Sequence, residues 1–356
     1  MGSNVQAEDQ QVPVYKSGAE VLQKLQEKCC SNRSYPAMYS SIVGGIILDP
    51  AMMVIPMDDH MVHRGHGVFD TAMIMDGWLY ELDAHLDRFL RSAANARIIH
   101  PPVLSNNSSS SSSSSNSIRE KDKEKEKLRS ILVQMTAASG CRKGSIRYWL
   151  SSGPGDFLLS SSGCSPSPAF YAVVIASDYE QCRDEGVKAV TTAVPMKPPL
   201  FATTKNVNYL PNVLSIMDAE DRGAFASVWV DEQGFVAEGP MVNVAFVTPQ
   251  RELVLPVFDN ILAGCTAKRM LALATNNNII LSVPGGVSNR KITADEARGC
   301  VEMAFVGSGL PVLPVVEWDG QPVGDGKVGP VMRALSDLLW EDMKSGPDRI
   351  PVPYYI

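Results

Sequence analysis

The chain of 356 residues lacks a long apolar run, a basic charge balance and paired cysteine motifs. No hydrophobic stretch approaches the roughly 18 residues that a membrane-spanning helix needs. The net charge is −7 and the pI is about 5.3, so we expect no nucleic acid and no membrane among the partners. The seven cysteines include no C-x-x-C, which favours reduced thiols over a disulfide framework or a structural zinc site.

The first residues also lack the features of a targeting signal. They are polar and acidic, without the apolar core of a secretory signal or the Arg- and Ser-rich character of a transit peptide. Gln6 stands where a myristoylation motif has Ser or Thr. This composition favours the cytoplasm, with the chloroplast as the alternative if a transit peptide precedes the sequence given.

The composition is that of a globular protein, with 45% hydrophobic and 20% charged residues, and the length suggests two domains. We expect an N-terminal extension at 1–36, a small domain at 37–150 and a large domain at 169–356. Residues 151–168 are rich in Ser, Gly and Pro and are predicted to be the interdomain linker. The segment 105–117 contains eight consecutive serines from Ser108, which predicts a flexible surface insertion.

Hydrophobic periodicity predicts the secondary structure. Helices are predicted at 17–28, 83–97, 119–135, 207–222, 267–276, 294–298 and 328–342. Strands are predicted at 42–48, 68–75, 145–150, 170–176, 189–194, 226–230, 242–248, 252–255 and 304–306. Ser17 is the predicted N-cap of the first helix, and Asp76-Gly77 is a strong hairpin signal.

Four short motifs with complementary chemistry follow one another along the chain. They are His85-Leu-Asp-Arg88, Lys205-Asn-Val-Asn-Tyr-Leu, Glu238-Gly and Ile261-Leu-Ala-Gly264-Cys-Thr266. They offer a guanidinium, an amine, a carboxylate and a glycine turn that leads into a helix. A glycine turn before a helix is a ready anion site, and arginine donates bidentately to phosphate. In this order the motifs resemble the class IV aminotransferases, which are the fold-type IV pyridoxal-phosphate enzymes.

The resemblance covers roughly residues 37–339. It implies an α/β fold, more strictly α+β, of two domains with mixed sheets. Pyridoxal 5′-phosphate would lie between the domains, and the large domain would bind it. An amino acid and a 2-oxo acid would be the substrates, and two copies of the chain would form a homodimer.

The resemblance also assigns roles to residues. Lys205 would form the Schiff base, for which a partly buried amine is needed. Glu238, which follows 33 residues later, would bind the pyridine nitrogen and keep it protonated. The expected phosphate ligands are Arg88, Gly264, Cys265, Thr266 and, more weakly, Ser308.

Substrate recognition resembles the family less closely. Phe69 matches an aromatic residue that the family points at the substrate. Ser152 stands where D-amino-acid transaminases carry a carboxylate-binding arginine, so either Arg147 or another group must take the carboxylate. Three histidines recur at intervals of three, at 60, 63 and 66, but the intervening glycines interrupt a helix there, and no metal site is predicted.

The resemblance predicts a transaminase of the D-amino-acid or branched-chain type, in which the freed lysine moves the proton. Aminodeoxychorismate lyase, which releases pyruvate, uses the same lysine and is the first alternative. The second is a diverged paralogue that binds the cofactor without turnover. Ser152, Pro240 and the glycine-rich segment 307–309 depart from the family pattern and keep that alternative open.

Overall fold

A computed structural model describes residues 12–29, 34–98, 114–164, 168–179, 184–276 and 283–354. The helices of these residues are α1 Gly18–Cys29, α2 His60–Arg64, α3 Leu82–Asn95, α4 Ser114–Ser139, α5 Pro199–Ala202, α6 Leu210–Asp221, α7 Cys265–Asn276, α8 Ala294–Arg298 and α9 Pro330–Ser345. The strands are β1 Ala37–Ser40, β2 Gly45–Ile47, β3 Gly67–Met75, β4 Trp78–Tyr80, β5 Gly144–Ser151, β6 Ala169–Ala176, β7 Val187–Thr191, β8 Ala226–Val228, β9 Asn243–Val247, β10 Leu253–Leu255, β11 Val287–Asn289, β12 Glu302–Gly307, β13 Leu310–Trp318, β14 Gln321–Pro322 and β15 Arg349–Pro351.

The first sheet has the strand order β15-β4-β3-β5-β6-β1-β2, and each pairing within it is antiparallel. One face of this sheet packs against α3 and α4. Its core contains Phe89 and Leu86 from α3, Leu132 from α4, and Tyr148 and Phe170 from the strands. The periodic apolar positions of both helices are therefore the residues that hold them on the sheet.

The second sheet has the order β11-β10-β9-β12-β13-β7-β8, and β14 pairs with β13. It is mixed, because β10–β11, β13–β7 and β7–β8 are parallel pairs while its other pairs are antiparallel. Both faces are covered. Met270 of α7 and Leu335 of α9 pack on one face, and Ala297 of α8 and Ile216 of α6 pack on the other. A sheet buried on both faces explains the continuous apolar runs of its strands.

Strand β6 corrects the predicted boundary between the two halves of the chain. Its residues pair along their whole length with β5, from Gly144↔Ala176 to Ser151↔Ala169, so β6 belongs to the first sheet. Residues 151–168 therefore connect two neighbouring strands of one sheet and are not an interdomain linker. The chain passes to the second sheet after β6, and the C-terminal β15 returns to the first sheet.

Several local predictions are confirmed. Ser17 Oγ accepts the N–H of Glu20 at 3.3 Å and caps α1. Asp76 and Gly77 both have positive φ, 49° and 84°, as a two-residue turn between β3 and β4 requires. The strand predicted at 42–48 is wrong in its first half, because a turn occupies 41–44 and only Gly45–Ile47 form β2.

The serine insertion lies mostly outside the described residues, which resume at Ser114 with the start of α4. The prediction of a flexible insertion therefore stays untested for 105–113, while residues 114–117 are helical. None of the helices in the described ranges has the length and apolar character that crossing a membrane requires.

Candidate active site

Lys205 is held by its backbone against β3 of the first sheet and against α3. Its carbonyl accepts the N–H of Phe69 in β3 at 3.0 Å. Its own N–H donates to Ser92 Oγ of α3 at 3.1 Å. Two residues on, the Val207 N–H donates to the Gly67 carbonyl at 3.1 Å. This short segment is thus fixed to β3 and α3, which makes the position of the lysine rigid.

The Lys205 amine lies against two aromatic rings. Nζ is 4.8 Å from the centroid of the Phe69 ring and 3.4 Å from the hydroxyl of Tyr209, which can accept from it. The two rings meet edge to face at 5.1 Å. The predicted role of Phe69 next to the reacting centre is thus compatible with its place beside the lysine.

Glu238 lies at the same cleft as Lys205 and is buried, with 9% of its surface exposed. Its carboxylate accepts the N–H of Leu262 at 3.2 Å and the side-chain amide of Asn243 at 3.3 Å. Burial raises the pKa of Glu238 to about 8. The Leu262 N–H and the positive charges of Lys197 and Lys205 oppose this rise without cancelling it.

The predicted glycine turn leads into α7 as expected. Gly264 lies against Asn243, and a Cβ at this position would overlap the Asn243 amide oxygen, so any larger residue would require Asn243 to shift. Cys265 and Thr266 open α7, where first-turn N–H groups have no intrahelical partner. Thr266 Oγ1 lies 3.3 Å from Ser308 Oγ, which follows β12. Backbone N–H groups and two hydroxyls therefore converge on one end of the cleft.

Arg88 reaches this end but is already paired. Its Nε and Nη2 donate to Asp70 at 2.9 and 2.7 Å, and Nη1 lies 3.4 Å from the Ala263 carbonyl. His85 Nδ1 lies 2.9 Å from the same carboxylate. Burial opposes ionisation of Asp70, but Arg88 and His85 outweigh it and hold its pKa well below the ordinary value. Burial likewise lowers the pKa of His85, yet Cys265 and Asp70 raise it to about 9.

The other predicted substrate ligand is not brought to the cleft. Arg147 lies on the exposed side of β5, where its Nε donates to Thr71 Oγ1 at 3.2 Å. Ser152 Oγ, at the position where D-amino-acid transaminases carry an arginine, lies 2.9 Å from His66 Nδ1. Among the residues that the structure describes, no group of three or more His, Cys, Asp or Glu side chains could hold a metal ion.

Four further residues of the site are not predicted from the sequence. Asp70 accepts hydrogen bonds from Arg88. Ser92 accepts the backbone N–H of Lys205. Lys197 and Asn212 line the cleft itself. The alternation of β3 could have identified Asp70 as an inward-facing charge. Lys197 lies in a proline-rich stretch without periodicity, so the local sequence carries no signal for it.

Lys205, Glu238, Thr266 and Ser308 line one cleft, to which Arg88 also contributes. Its donor set matches pyridoxal phosphate, with N–H groups and hydroxyls for a phosphate, an amine for an aldehyde and a buried carboxyl for a ring nitrogen. Glu238 makes no ion pair with a described residue, so a cationic ring nitrogen would supply its missing partner. The buried Asn212 Oδ1 also lacks a partner among the described residues. The residues present therefore fit this cofactor.

Comparison with known proteins agrees with this chemistry. Residues 67–318 match the family model described as amino-transferase class IV. The D-amino-acid transaminase, chloroplastic, of Arabidopsis thaliana is 49% identical over 357 residues, which cover 99% of this chain and 89% of that protein. A bifunctional aminodeoxychorismate lyase / D-amino acid transaminase of Mycobacterium tuberculosis is 26% identical over 244 residues, covering 65% of this chain and 76% of that one.

The fold is similar to that of a T.th. branched-chain amino acid aminotransferase solved with pyridoxamine 5′-phosphate. The TM-score is 0.76 at 20% identity, and the match covers 90% of this chain and 100% of the other. This likeness confirms the predicted fold class. The family model spans most of the chain, and the Arabidopsis relative aligns over nearly all of it. The chain therefore belongs to the class IV aminotransferases and is a pyridoxal-phosphate-dependent transaminase.

Proposed function

We propose that this enzyme transfers the amino group of D-amino acids to a 2-oxo acid, with Lys205 as the catalytic lysine. The observation that carries the lysine assignment is the cleft itself, in which Lys205, Glu238 and the start of α7 face one space. The substrate class follows the 49% identity to the Arabidopsis D-amino-acid transaminase. An L-amino acid of the branched-chain type is the alternative donor.

Each residue has a defined task in this proposal. When bound, the cofactor supplies an electron-withdrawing ring that acidifies the substrate Cα–H and an aldehyde carbon that carries the amino group. Lys205 Nζ holds that carbon between turnovers, and when released it moves the proton from Cα. Phe69 and Tyr209 exclude water around this amine. The carboxylate of Glu238 retains the proton on the ring nitrogen.

The phosphate ligands of the proposal are Arg88, the N–H groups of Gly264 and Cys265, and the hydroxyls of Thr266 and Ser308. Asp70 fixes Arg88 in place through two hydrogen bonds. The role that the sequence predicted for Arg147 in substrate binding stays a prediction, because its side chain lies outside the cleft-lining set.

A screen of D- and L-amino acids against 2-oxoglutarate and pyruvate tests the proposal. We expect turnover with D-amino acids such as D-alanine and D-aspartate, at a kcat/KM at least about tenfold above that of each L-enantiomer, which is a difference of about 1.4 kcal/mol. A preference for L-valine or L-leucine over every D-amino acid would reject the substrate assignment and favour the branched-chain alternative.

Lyase activity is the second candidate, because the Mycobacterium tuberculosis relative is named for both activities. Aminodeoxychorismate should release pyruvate without an added 2-oxo acid if this chain has that activity. Pyruvate release that is faster than D-amino-acid transamination would make the lyase the main function.

A homodimer is proposed from the exposed apolar surface as well as from the family resemblance. Met57, Val54 and the run Phe157–Leu159 are large side chains that are more than half exposed. Large exposed apolar side chains often mark an interface, and a second copy of the chain would cover them. Sedimentation at micromolar concentration should give twice the mass of the chain, and a monomer would contradict the proposal.

The cellular location also stays a proposal. The cytoplasm and the chloroplast are the two candidates, the second because the Arabidopsis relative is named chloroplastic. A fluorescent fusion of the complete natural reading frame distinguishes the two, because uniform cytoplasmic signal and signal confined to plastids exclude each other.

A further inference from the structure

Lys197 is a second lysine of the cleft, and neither the motifs nor the family resemblance assigns it a role. It lines the space shared by Lys205 and Glu238, and its Nζ lies 4.7 Å from the centroid of the Tyr209 ring. The same tyrosine reaches Lys205, whose Nζ is 3.4 Å from the Tyr209 hydroxyl. One tyrosine therefore contacts both lysines, which puts Lys197 within the same small region as the reacting amine.

Among the described residues, Lys197 forms no ion pair. No described carboxylate lies within ion-pair distance of its Nζ, although the side chain is half buried. Burial and the nearby Lys205 lower the pKa of Lys197, while Glu238 opposes that change. A desolvated ammonium without a counter-ion is unfavourable, and an anionic ligand removes the penalty.

The other cations near the cleft are paired, have a different proposed role, or lie outside the cleft. Arg88 is bound to Asp70 by two hydrogen bonds. Lys205 is needed for the cofactor. Arg147 is exposed on β5 and bonded to Thr71. Within the described part of the chain, Lys197 is thus the cation of the cleft that has no task yet.

Lys197 lines both the cofactor cleft and a second, wider chamber. The lining of that chamber includes Lys197, Arg64, Arg97 and His66, and none of its described lining residues is acidic. A substrate that enters beside a bound cofactor would approach through a positively charged space and meet Lys197 first at the reacting end.

We propose that Lys197 binds the α-carboxylate of the substrate and so replaces the arginine that is absent at Ser152. The proposal rests on the transaminase activity and goes beyond the substrate class proposed above. The α-carboxylate is chosen because it is bonded to the reacting Cα, which must lie next to Lys205, and Lys197 is the cation on that side. Arg64 and Arg97 line the chamber only and lie outside this subsite.

Equilibrium binding of hexanoate to the cofactor-loaded enzyme tests the proposal. Hexanoate carries one carboxylate and neither an amino nor an oxo group, so it occupies the subsite without reaction, and the cofactor absorbance reports its binding. Lys197→Met should weaken hexanoate binding roughly 10- to 100-fold, or about 1.4–2.8 kcal/mol. Lys197→Arg should retain most of the affinity, because it keeps the charge.

Two further variants complete the experiment. Lys188→Met removes an exposed lysine that pairs with Glu317 at 3.1 Å and should leave hexanoate binding unchanged. Arg147→Met tests the carboxylate ligand that was predicted from the sequence. A loss confined to Arg147→Met, with Lys197→Met equal to the wild type, would overturn the proposal. An equal loss in Lys197→Met and Lys197→Arg would show a packing effect and overturn it as well.

The binding experiment can be interpreted even if the proposed substrate class is wrong. Hexanoate binding needs no turnover, so the subsite can be demonstrated even if D-amino acids prove not to be the substrates. Cofactor loading after borohydride reduction should be the same in Lys197→Met and in the wild type. A Lys197→Met enzyme that loses the cofactor, rather than the carboxylate, would assign Lys197 to cofactor attachment and reject the subsite.

Discussion

At the end of the cleft where α7 begins, Asp70 pairs with both Arg88 and His85, whereas at the other end Lys197 and Lys205 make no ion pair with a described residue. We call Asp70, His85 and Arg88 the paired end, and Lys197, Lys205 and Glu238 the unpaired end. Each end contains a buried carboxylate, Asp70 with 0% and Glu238 with 9% of its surface exposed. Burial favours the protonated form of both groups, yet their pKa values are shifted in opposite directions.

The pKa of Asp70 lies well below its ordinary value because Arg88 and His85 are in direct contact and outweigh burial. Burial raises the pKa of Glu238 to about 8, since its lysines lie too far away for an ion pair. Burial alone therefore does not decide the charge of a carboxyl group, and the distance to a cation does. The paired end is complete in the chain by itself. In our proposal, the charges of the cofactor and the substrate complete the unpaired end.

The largest effect is expected at Lys205. Lys205→Ala should abolish covalent attachment of the cofactor and lower kcat/KM by roughly three orders of magnitude or more, because the attachment point and the proton-transfer base are both removed. Borohydride reduction followed by peptide mapping measures the attachment. Lys188→Ala is the control. Label on another lysine of the wild-type enzyme, such as Lys197, would move the catalytic assignment there.

The next largest effect is expected when the ion pair of the paired end is removed. Asp70→Asn keeps the shape of the side chain but leaves the charge of Arg88 buried without its counter-ion. Removing one partner of a buried ion pair commonly destabilises a protein by about 3–5 kcal/mol. Denaturant unfolding of the cofactor-free protein measures the loss, and cofactor affinity should fall with it.

Asp87→Asn is the matched control for this change. Asp87 lies on α3 beside Arg88, and it pairs with Lys125 at 2.7 Å with half of its side chain exposed. Exposed pairs contribute about 0–1 kcal/mol, so this variant should remain close to the wild type. Equal losses in the two variants would show that the paired end has no special role in stability.

The third prediction concerns the unpaired end and its response to pH. The raised pKa of Glu238 means that the folded, cofactor-free protein keeps a proton that the unfolded chain has released. The stabilisation that this group contributes is therefore fully present at pH values below 4.5, its ordinary pKa. It is lost as the pH rises towards about 8. Glu238→Gln should remove that dependence and stabilise the cofactor-free protein by about 1–3 kcal/mol at pH 8.

In the cofactor-loaded enzyme, Glu238→Gln should be unfavourable, because in our proposal the ring nitrogen then provides the partner that Glu238 lacks. Glu238→Gln should lower kcat while the cofactor stays attached. Unfolding curves of the cofactor-free wild type and Glu238→Gln from pH 4.5 to 8 measure the stability difference, with Glu317→Gln, whose side chain is partly exposed, as the control. A wild-type stability that rises with pH relative to Glu238→Gln would contradict the pKa direction.

The sequence is most informative where chemistry and local geometry coincide. The glycine turn before α7 can be predicted because Gly264, Cys265 and Thr266 combine a turn residue with a helix start. The boundary between the parts of the chain that form the two sheets is harder to predict. The local pattern places β6 in the wrong sheet, because strand pairing depends on long-range partners that a local pattern does not contain.

The same limit explains two further differences. Strand β13 escapes prediction because Pro311 and Pro314 interrupt its pattern, although Pro314 lies opposite Ala304 of β12 in the second sheet. Lys197 escapes it because its importance comes from contact with Tyr209 and from a cleft assembled by distant segments. Residues that carry a motif can be found from sequence, whereas those that complete a site through tertiary contacts cannot.

The smallest effect is expected for the serine segment before α4. Deleting Ser108–Ser115 removes part of the segment before α4 together with its first two residues, Ser114 and Ser115. Since closure entropy changes slowly with loop length, the free energy of unfolding should change by less than about 1 kcal/mol. Cofactor affinity and kcat/KM should stay the same within error, so the deletion is a negative control for both ends. A larger loss of stability, or a selective loss of activity, would show that the serine segment contributes to the fold or to the cleft.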